Sequence, residues 1–358
     1  MATTLIKAGE AAKDALTKGI IETILKNSPI LQELPFITIQ GNTLTYWQEK
    51  IIGSLAAWYA AGGTWTPVSP DAEEKTATLK ILGGDVDFDQ YTIRTRPTPD
   101  DYQASLVELK AKAVRMAFED QFINGDGSSN KPEGLFKQLR GTVWAASTAY
   151  TLGQVVVPTT GKENGAKYIC TTAGTSHATT EPTWPTTEGA TVTDNTVVWT
   201  CYQGHHLGSG TNGNPLTLAI LDQLIDLVKG GNPQMILMSP RSRRDLNKLI
   251  RASGALMETK AGKFGEFIQV YNGIPIGVCE WIKDNNTVGS STDCSLIFAV
   301  QYGENAVAGI SSPEMVQVET IGTLETKDAN RIRIKWYVGM AVMSLPRAAV
   351  LSGVRPVV

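Results

Sequence analysis

A break in composition across the middle of the chain limits its fold more than any other feature. Residues 141–211 hold eighteen Thr and three Trp but very few charged side chains. Thr and Val alternate there between Gly and Pro punctuation, the pattern of short strands and turns. On either side the pattern reverts to helix. No single uniform layer accommodates that switch. The chain therefore reads as an α+β body with an all-β segment inserted between two of its elements. Gly208-Ser-Gly-Thr-Asn-Gly-Asn214 reads as a flexible exit linker.

The body has a clear periodicity. Residues 99–123 are expected to form a long helix, with Pro99, Asp100 and Asp101 suited to its start. Leu106, Leu109, Ala113, Met116, Ala117 and Phe118 are its expected buried face. Asn124-Gly125-Asp126-Gly127 tolerates the left-handed backbone that ends a helix. Residues 215–229 repeat the helical pattern, Met235–Met238 reads as a buried strand, and Pro240 opens a helix over 241–252. Residues 267–310 are strand-rich, and 314–321 and 329–345 read as long strands ending at Pro346.

Two regions leave alternatives open. Residues 3–27 read as an amphipathic helix, either packed on its own domain or forming an arm that crosses to a neighbour. Residues 36–95 read as strands, with a long two-stranded excursion that carries Trp58, Tyr59 and Trp65. Such a ribbon cannot bury its aromatics alone. They fill either this domain's core or a partner's surface.

Chemistry is sparse. The phosphate-binding glycine loops and the nucleophile elbow are missing. The cysteines, Cys170, Cys201, Cys279 and Cys294, form no C-x-x-C pair, and with three histidines no zinc spacing can be assembled. No cofactor and no enzymatic role are expected. His205-His206 reads as a solvated turn. Asp85, Asp87 and Asp89 share one strand face, which either holds a cation or is solvated. Arg241, Arg243 and Arg244 form a basic cluster that meets acidic groups of a neighbour or simply starts a helix. A net charge of −3 does not suggest a tight grip on nucleic acid. The N-terminus lacks a signal-peptide core, and no apolar run reaches membrane-spanning length, so the chain is expected to fold in a cytoplasm.

Four stretches, in order, carry a family resemblance. They are Phe118-Glu-Asp-Gln-Phe-Ile-Asn-Gly-Asp-Gly127 with Pro132-Glu-Gly-Leu135, and Met235-Ile-Leu-Met-Ser-Pro-Arg241 with Leu246. Tyr271-Asn-Gly-Ile-Pro-Ile276 and Arg331-Ile-Arg-Ile-Lys-Trp-Tyr-Val-Gly-Met-Ala341 complete the set. Together they resemble the major capsid proteins of tailed bacteriophages with the Hong Kong 97-like fold. The resemblance implies an N-terminal arm (1–35), then an extended loop and peripheral domain with spine helix 99–123 (36–140). The inserted β domain (141–211), an axial domain (212–312) and closing peripheral strands (313–358) follow. It implies self-assembly as hexamers and pentamers into an icosahedral shell that encloses double-stranded DNA without sequence-specific binding. Implied partners are copies of the chain, a separate scaffolding protein, a portal protein and a cement or decoration protein. No membrane is involved, and the site of action is the virion. Trp58, Tyr59, Trp65, Arg241, Arg243 and Arg244 are the candidate inter-subunit contacts. Some members cross-link a loop Lys to a late Asn. Lys50, Lys75 and Lys80 are present, but no Asn follows Ser344, so non-covalent stabilisation is expected.

The insert resembles small chitin-type carbohydrate-binding modules in the order Trp144, Tyr150, Gly153, Val155, Tyr168, Glu181-Pro182 and Trp184. Trp144, Tyr150, Tyr168 and Trp184 would then stack on sugars, making a carbohydrate-binding or adhesin protein the rival reading. The alternative is that these rings form the module's own core. Cys170 and Cys201 are candidate cross-strand neighbours, as a reduced pair or as a disulfide formed outside the cell.

Overall fold

The computed structural model describes residues 2–7, 15–26, 28–49, 58–64, 72–95, 99–128, 130–254, 256, 258–263 and 265–357. The N-terminal third runs β1 (Ala2–Thr4), α1 (Ala15–Leu25), α2 (Pro29–Glu33), β2 (Pro35–Thr38), β3 (Thr43–Glu49), β4 (Ala72–Thr78), β5 (Lys80–Asp89), α3 (Gln90–Thr95), α4 (Pro99–Asn124) and α5 (Leu135–Arg140). The middle is all strand: β6 (Ala149–Tyr150), β7 (Val155–Val156), β8 (Asn164–Thr172), β9 (Gly174–Thr175), β10 (Thr191–Asp194), β11 (Val197–Gly208) and β12 (Asn214–Pro215). Next come α6 (Leu218–Asp226), β13 (Met235–Met238), α7 (Pro240–Ala252), β14 (Glu258–Ala261), β15 (Phe267–Tyr271), β16 (Ile274–Val278), β17 (Asn286–Val288) and β18 (Ser291–Val300). The chain closes with β19 (Val307–Thr323), β20 (Ala329–Val342), a 3-10 turn at Leu345–Arg347 and β21 (Ala348–Arg355).

Two sheets organise these pieces. The first has the order β1-β2-β19-β20-β5. The second runs β14-β15-β16-β13-β18-β21-β11-β8-β7, with β10, β12 and β17 attached. Local chemistry sets the helix starts. Pro240 occupies the first turn of α7, and Ser239 Oγ caps it by accepting from the Ser242 N–H at 3.1 Å. Ser28 caps α2 in the same way, accepting from the Leu31 N–H at 3.1 Å.

The first sheet packs beneath α4. Val107, Ala111, Val114, Phe118 and Phe122 form its buried stripe, at steps of three and four. Phe118 stacks on Trp336 of β20 with centroids 4.9 Å apart, and Phe36 of β2 closes on the same indole at 5.5 Å. Gly309 lies opposite Phe36 in the register, where a Cβ would overlap the ring. The expected helix face is therefore corrected. Leu109 and Met116 point outward, because apolar residues surround α4 and the sheet takes the β-branched stripe with the two Phe.

Three boundaries also move. The described part of 1–35 packs on its own body. β1 pairs with β2, and Leu5, Ile20, Ile21, Ile24 and Leu25 are buried in the core shared with α4. Residues 8–14 of the expected helix lie outside the described residues. The segment 313–358 is not one set of peripheral strands, because β21 sits in the second sheet between β18 and β11. The exit linker is not a separate tether either. The end of β11 runs parallel to β21, with His206, Leu207 and Gly208 opposite Val350, Leu351 and Ser352. The segment 141–211 keeps a small core of its own, yet its longest strand continues into the body's sheet.

Candidate assembly surfaces

The β3–β4 hairpin is in register from Thr43 opposite Thr78 to Glu49 opposite Ala72. The loop end of its paired strands is held against the end of β20. Gln48 Nε2 donates to the Val342 carbonyl at 2.7 Å, the Glu49 N–H donates to Met343 at 2.8 Å, and Ser344 Oγ donates to Glu49 Oε2 at 2.7 Å. Burial pushes the Tyr46 phenol up to about 12. Trp47, within β3, is largely exposed; in the connection that follows, Trp58 is fully exposed and Tyr59 half-buried. Trp65 lies outside the described residues. Ile81, Leu109, Met116, Leu256 and Phe267 are exposed as well. Exposed apolar groups of this size mark contact surfaces.

The arginine cluster divides. Arg241 belongs to its own fold. Its guanidinium donates to the Asp284 and Val354 carbonyls, both at 3.2 Å, and lies 3.5 Å from the Asp284 carboxylate. Arg243 and Arg244 are exposed. Arg243 also lines a groove of about 760 Å³ beside the β14–β15 hairpin, which Lys263 ties to Glu33 at 2.9 Å.

The acidic strand face is an ion-pair ladder. Asp87 lies opposite Arg331 and Asp85 opposite Arg333. Each pair is bidentate, at 2.6 and 2.8 Å, and Lys327 adds a third bond to Asp87 at 2.8 Å. The arginine hydrogen bonds hold both carboxyls below their usual range. Asp89 caps the following turn through Thr92. Among the described residues no group of three His, Cys, Asp or Glu could hold a metal.

The sugar-stacking candidates are corrected. Trp144, Tyr150, Tyr168 and Trp184 are all buried in one cluster, where Tyr168 packs on Trp184, and Trp184 and Tyr150 pack on Trp199. Polar handles are satisfied inside. Trp144 Nε1 donates to Asp194 at 2.7 Å, Trp184 Nε1 to Glu181 at 2.8 Å, and the Tyr168 hydroxyl to the Pro185 carbonyl at 2.7 Å. Such a small module has few other groups with which to make a core. Cys170 pairs with Trp199 and Cys201 with Tyr168 in the register, so the two are diagonal neighbours, and both are free thiols.

The histidine pair is also corrected: both side chains are buried, not solvated. His206 Nε2 is hydrogen-bonded to Ser352 Oγ at 2.9 Å and lies 3.8 Å from Glu163, with Phe136 edge-on at 6.0 Å. Burial lowers His206 to about 3 and raises Glu163. This polar joint between insert and body was not anticipated. Its only signal in the sequence is an imidazole pair set within a strand-like run.

A two-sheet body with large apolar side chains exposed on the β3–β4 excursion, on α4 and beside the β14–β15 hairpin suits a subunit that associates with its own copies. The chain belongs to the phage capsid family, which matches residues 9–302. The SrpI encapsulin of Synechococcus elongatus is similar in structure, with a TM-score of 0.59 at 14% identity, over 98% of this chain and 95% of that one. The capsid of the empty GTA particle gives 0.55 at 15%, over 92% and 90%, and Microbacterium phage Oxtober96 gives 0.51 at 11%, over 93% and 92%. At these identities the likenesses establish the fold. No curated relative matches the sequence. Among the described residues no helix is long and apolar enough to cross a membrane.

Proposed function

We propose that this protein is the major capsid protein of a tailed bacteriophage, closing its shell from hexamers and pentamers of the chain. As a capsid-family member it is a structural component of the virion, and it builds an icosahedral shell by associating with copies of itself. The peripheral part is the first sheet with α4, and the axial part is built on β13 and β18 with α6 and α7. The observation that carries the reading is Trp58, fully exposed in the connection of a hairpin that is tied by hydrogen bonds to its own body. An isolated subunit gains nothing from holding an indole in water, whereas a repeated one buries it on a neighbour.

A net charge of −3 suits a container that encloses double-stranded DNA without reading it. A separate scaffolding protein would direct curvature, a portal would occupy one vertex, and a cement protein would bind outside. Assembly would take place in the host cytoplasm. The family supports a structural role and not catalysis. The carbohydrate-binding alternative loses its main support, because the four rings it needs are buried.

The test is electron microscopy with sedimentation on protein expressed with and without its scaffold. Rings or closed shells are the expected result. A small monodisperse species in both preparations would overturn the reading.

A further inference from the structure

The sheet of the insert keeps its tryptophan core on one face only. Alternation turns Tyr168 and Cys170 of β8 and Trp199 and Cys201 of β11 towards that core. In an antiparallel sheet with one buried face, the second is ordinarily polar and solvated. Here the second face carries Val155 of β7, Ile169 of β8 and Val198 of β11, all half-buried. Among the described residues these three belong to none of the buried apolar clusters. Thr200 stands at the centre of the face, opposite Thr191 of β10 on one side and Ile169 on the other.

Two features fit this face to a second copy of itself. Its central hydroxyls are already answered: Thr171 Oγ1 donates to the Val198 carbonyl at 3.2 Å and lies 3.0 Å from Thr200 Oγ1. Covering the face leaves these groups paired, so it can go dry against protein at little cost. The face is also uncharged around Thr200. Lys167, on the same side of β8, is two residues closer to the body and buried. Across a two-fold axis each side chain meets the set it belongs to, so a charged face repels itself and a neutral one does not. A closed icosahedral shell relates neighbouring copies by such axes. We propose that the insert of one copy packs through this face on the same face of a second copy's insert, as a sandwich of two sheets. The inference rests on the capsid reading and gives the insert a part in joining subunits.

The test is assembly of the full chain, followed by sedimentation across a range of protein concentrations. Thr200→Arg and Thr200→Asp should each melt close to the parent, yet need about tenfold or more protein to form shells, because either sign repels itself. Thr200→Val, neutral and of the same shape, should assemble like the parent. Mixed in equal amounts, the Thr200→Arg and Thr200→Asp chains should recover much of the loss. A loss with one sign only would mean a charged partner and overturn the proposal, as would a mixture no better than either chain alone. Shells that form from both variants at the parental concentration would overturn it while leaving the capsid reading standing, and a cement protein that they no longer take up would then be the occupant. Parent protein that forms neither rings nor shells would overturn both.

Discussion

The indole N–H of Trp144 donates to Oδ2 of Asp194 across 2.7 Å, inside the small core of the insert. The same carboxylate accepts from Trp199 Nε1 at 3.2 Å and from the His177 N–H at 2.8 Å. One buried side chain therefore satisfies three donors from separate parts of the module. Asp194→Ala strands all three, each worth roughly 1–3 kcal/mol when buried and unpaired. We expect a loss of about 3 kcal/mol or more, read by thermal unfolding followed by tryptophan fluorescence. A loss below about 1 kcal/mol would mean that water replaces the carboxylate.

Trp336 anchors the body as Asp194 anchors the insert. It is wholly buried between Phe36 and Phe118, and its Nε1 donates to Ser311 Oγ at 3.3 Å. Trp336→Ala should cost roughly 3–5 kcal/mol, the range for deleting a large core aromatic. Denaturant midpoints would measure it, and Trp336→Phe should recover part of the loss.

The joint at His206 should make stability depend on pH. Its folded value, about 3, lies below the unfolded value near 6.5, so the unfolded chain binds the proton first. The contribution is complete above about pH 6.5 and is lost as pH falls towards 3. For His206 alone the loss is about 2 kcal/mol at pH 5. Glu163 acts in the opposite sense, because its raised value makes it a burden at neutral pH that acid relieves. The net loss is therefore smaller than His206 alone gives. His206→Gln should flatten the dependence between pH 7 and 5, and an unchanged slope would assign it to other groups.

Stability and assembly should separate at the arginines. Arg241→Ala removes bonds to Asp284 and Val354 and should lower the melting temperature, at a cost of about 1–2 kcal/mol. Arg243→Ala and Arg244→Ala sit on exposed positions and should stay within about 0.5 kcal/mol of the parent. If either enters a subunit contact, shell yield will fall while melting holds.

The carboxylate ladder gives a salt-sensitive signature. Both carboxyls are held below their usual values by arginine, so their stabilisation is present at neutral pH and fades as pH falls through the acid range. Asp87→Asn should destabilise the chain at low ionic strength, with the deficit shrinking in high salt. A deficit that ignores salt would point to lost packing instead.

Elements with their own punctuation were legible in the sequence. Met235–Met238 followed by Pro240 fixed β13 and α7, and Asn124-Gly125 marked the end of α4. Which face of α4 is buried was not legible, because Leu109 and Met116 satisfy the helical period as well as Val107 and Val114 do. Only the facing sheet chooses between them. The buried state of His205 and His206 was hidden for a similar reason. Their neighbours across the joint, Ser352 and Glu163, are remote in sequence, and the run beside Gly208 looks like a linker until β21 is placed against it. Of the site residues, Trp58 could be singled out from an excursion too long to bury its own rings.

The position of β21 also has a bearing on the order of synthesis. Its partners β18 and β11 are made about 50 and 150 residues earlier, and β21 alone joins them. Until residues 348–355 leave the ribosome, the second sheet is two separate halves with open edges facing each other. A nascent chain therefore completes this layer only when β21 is added.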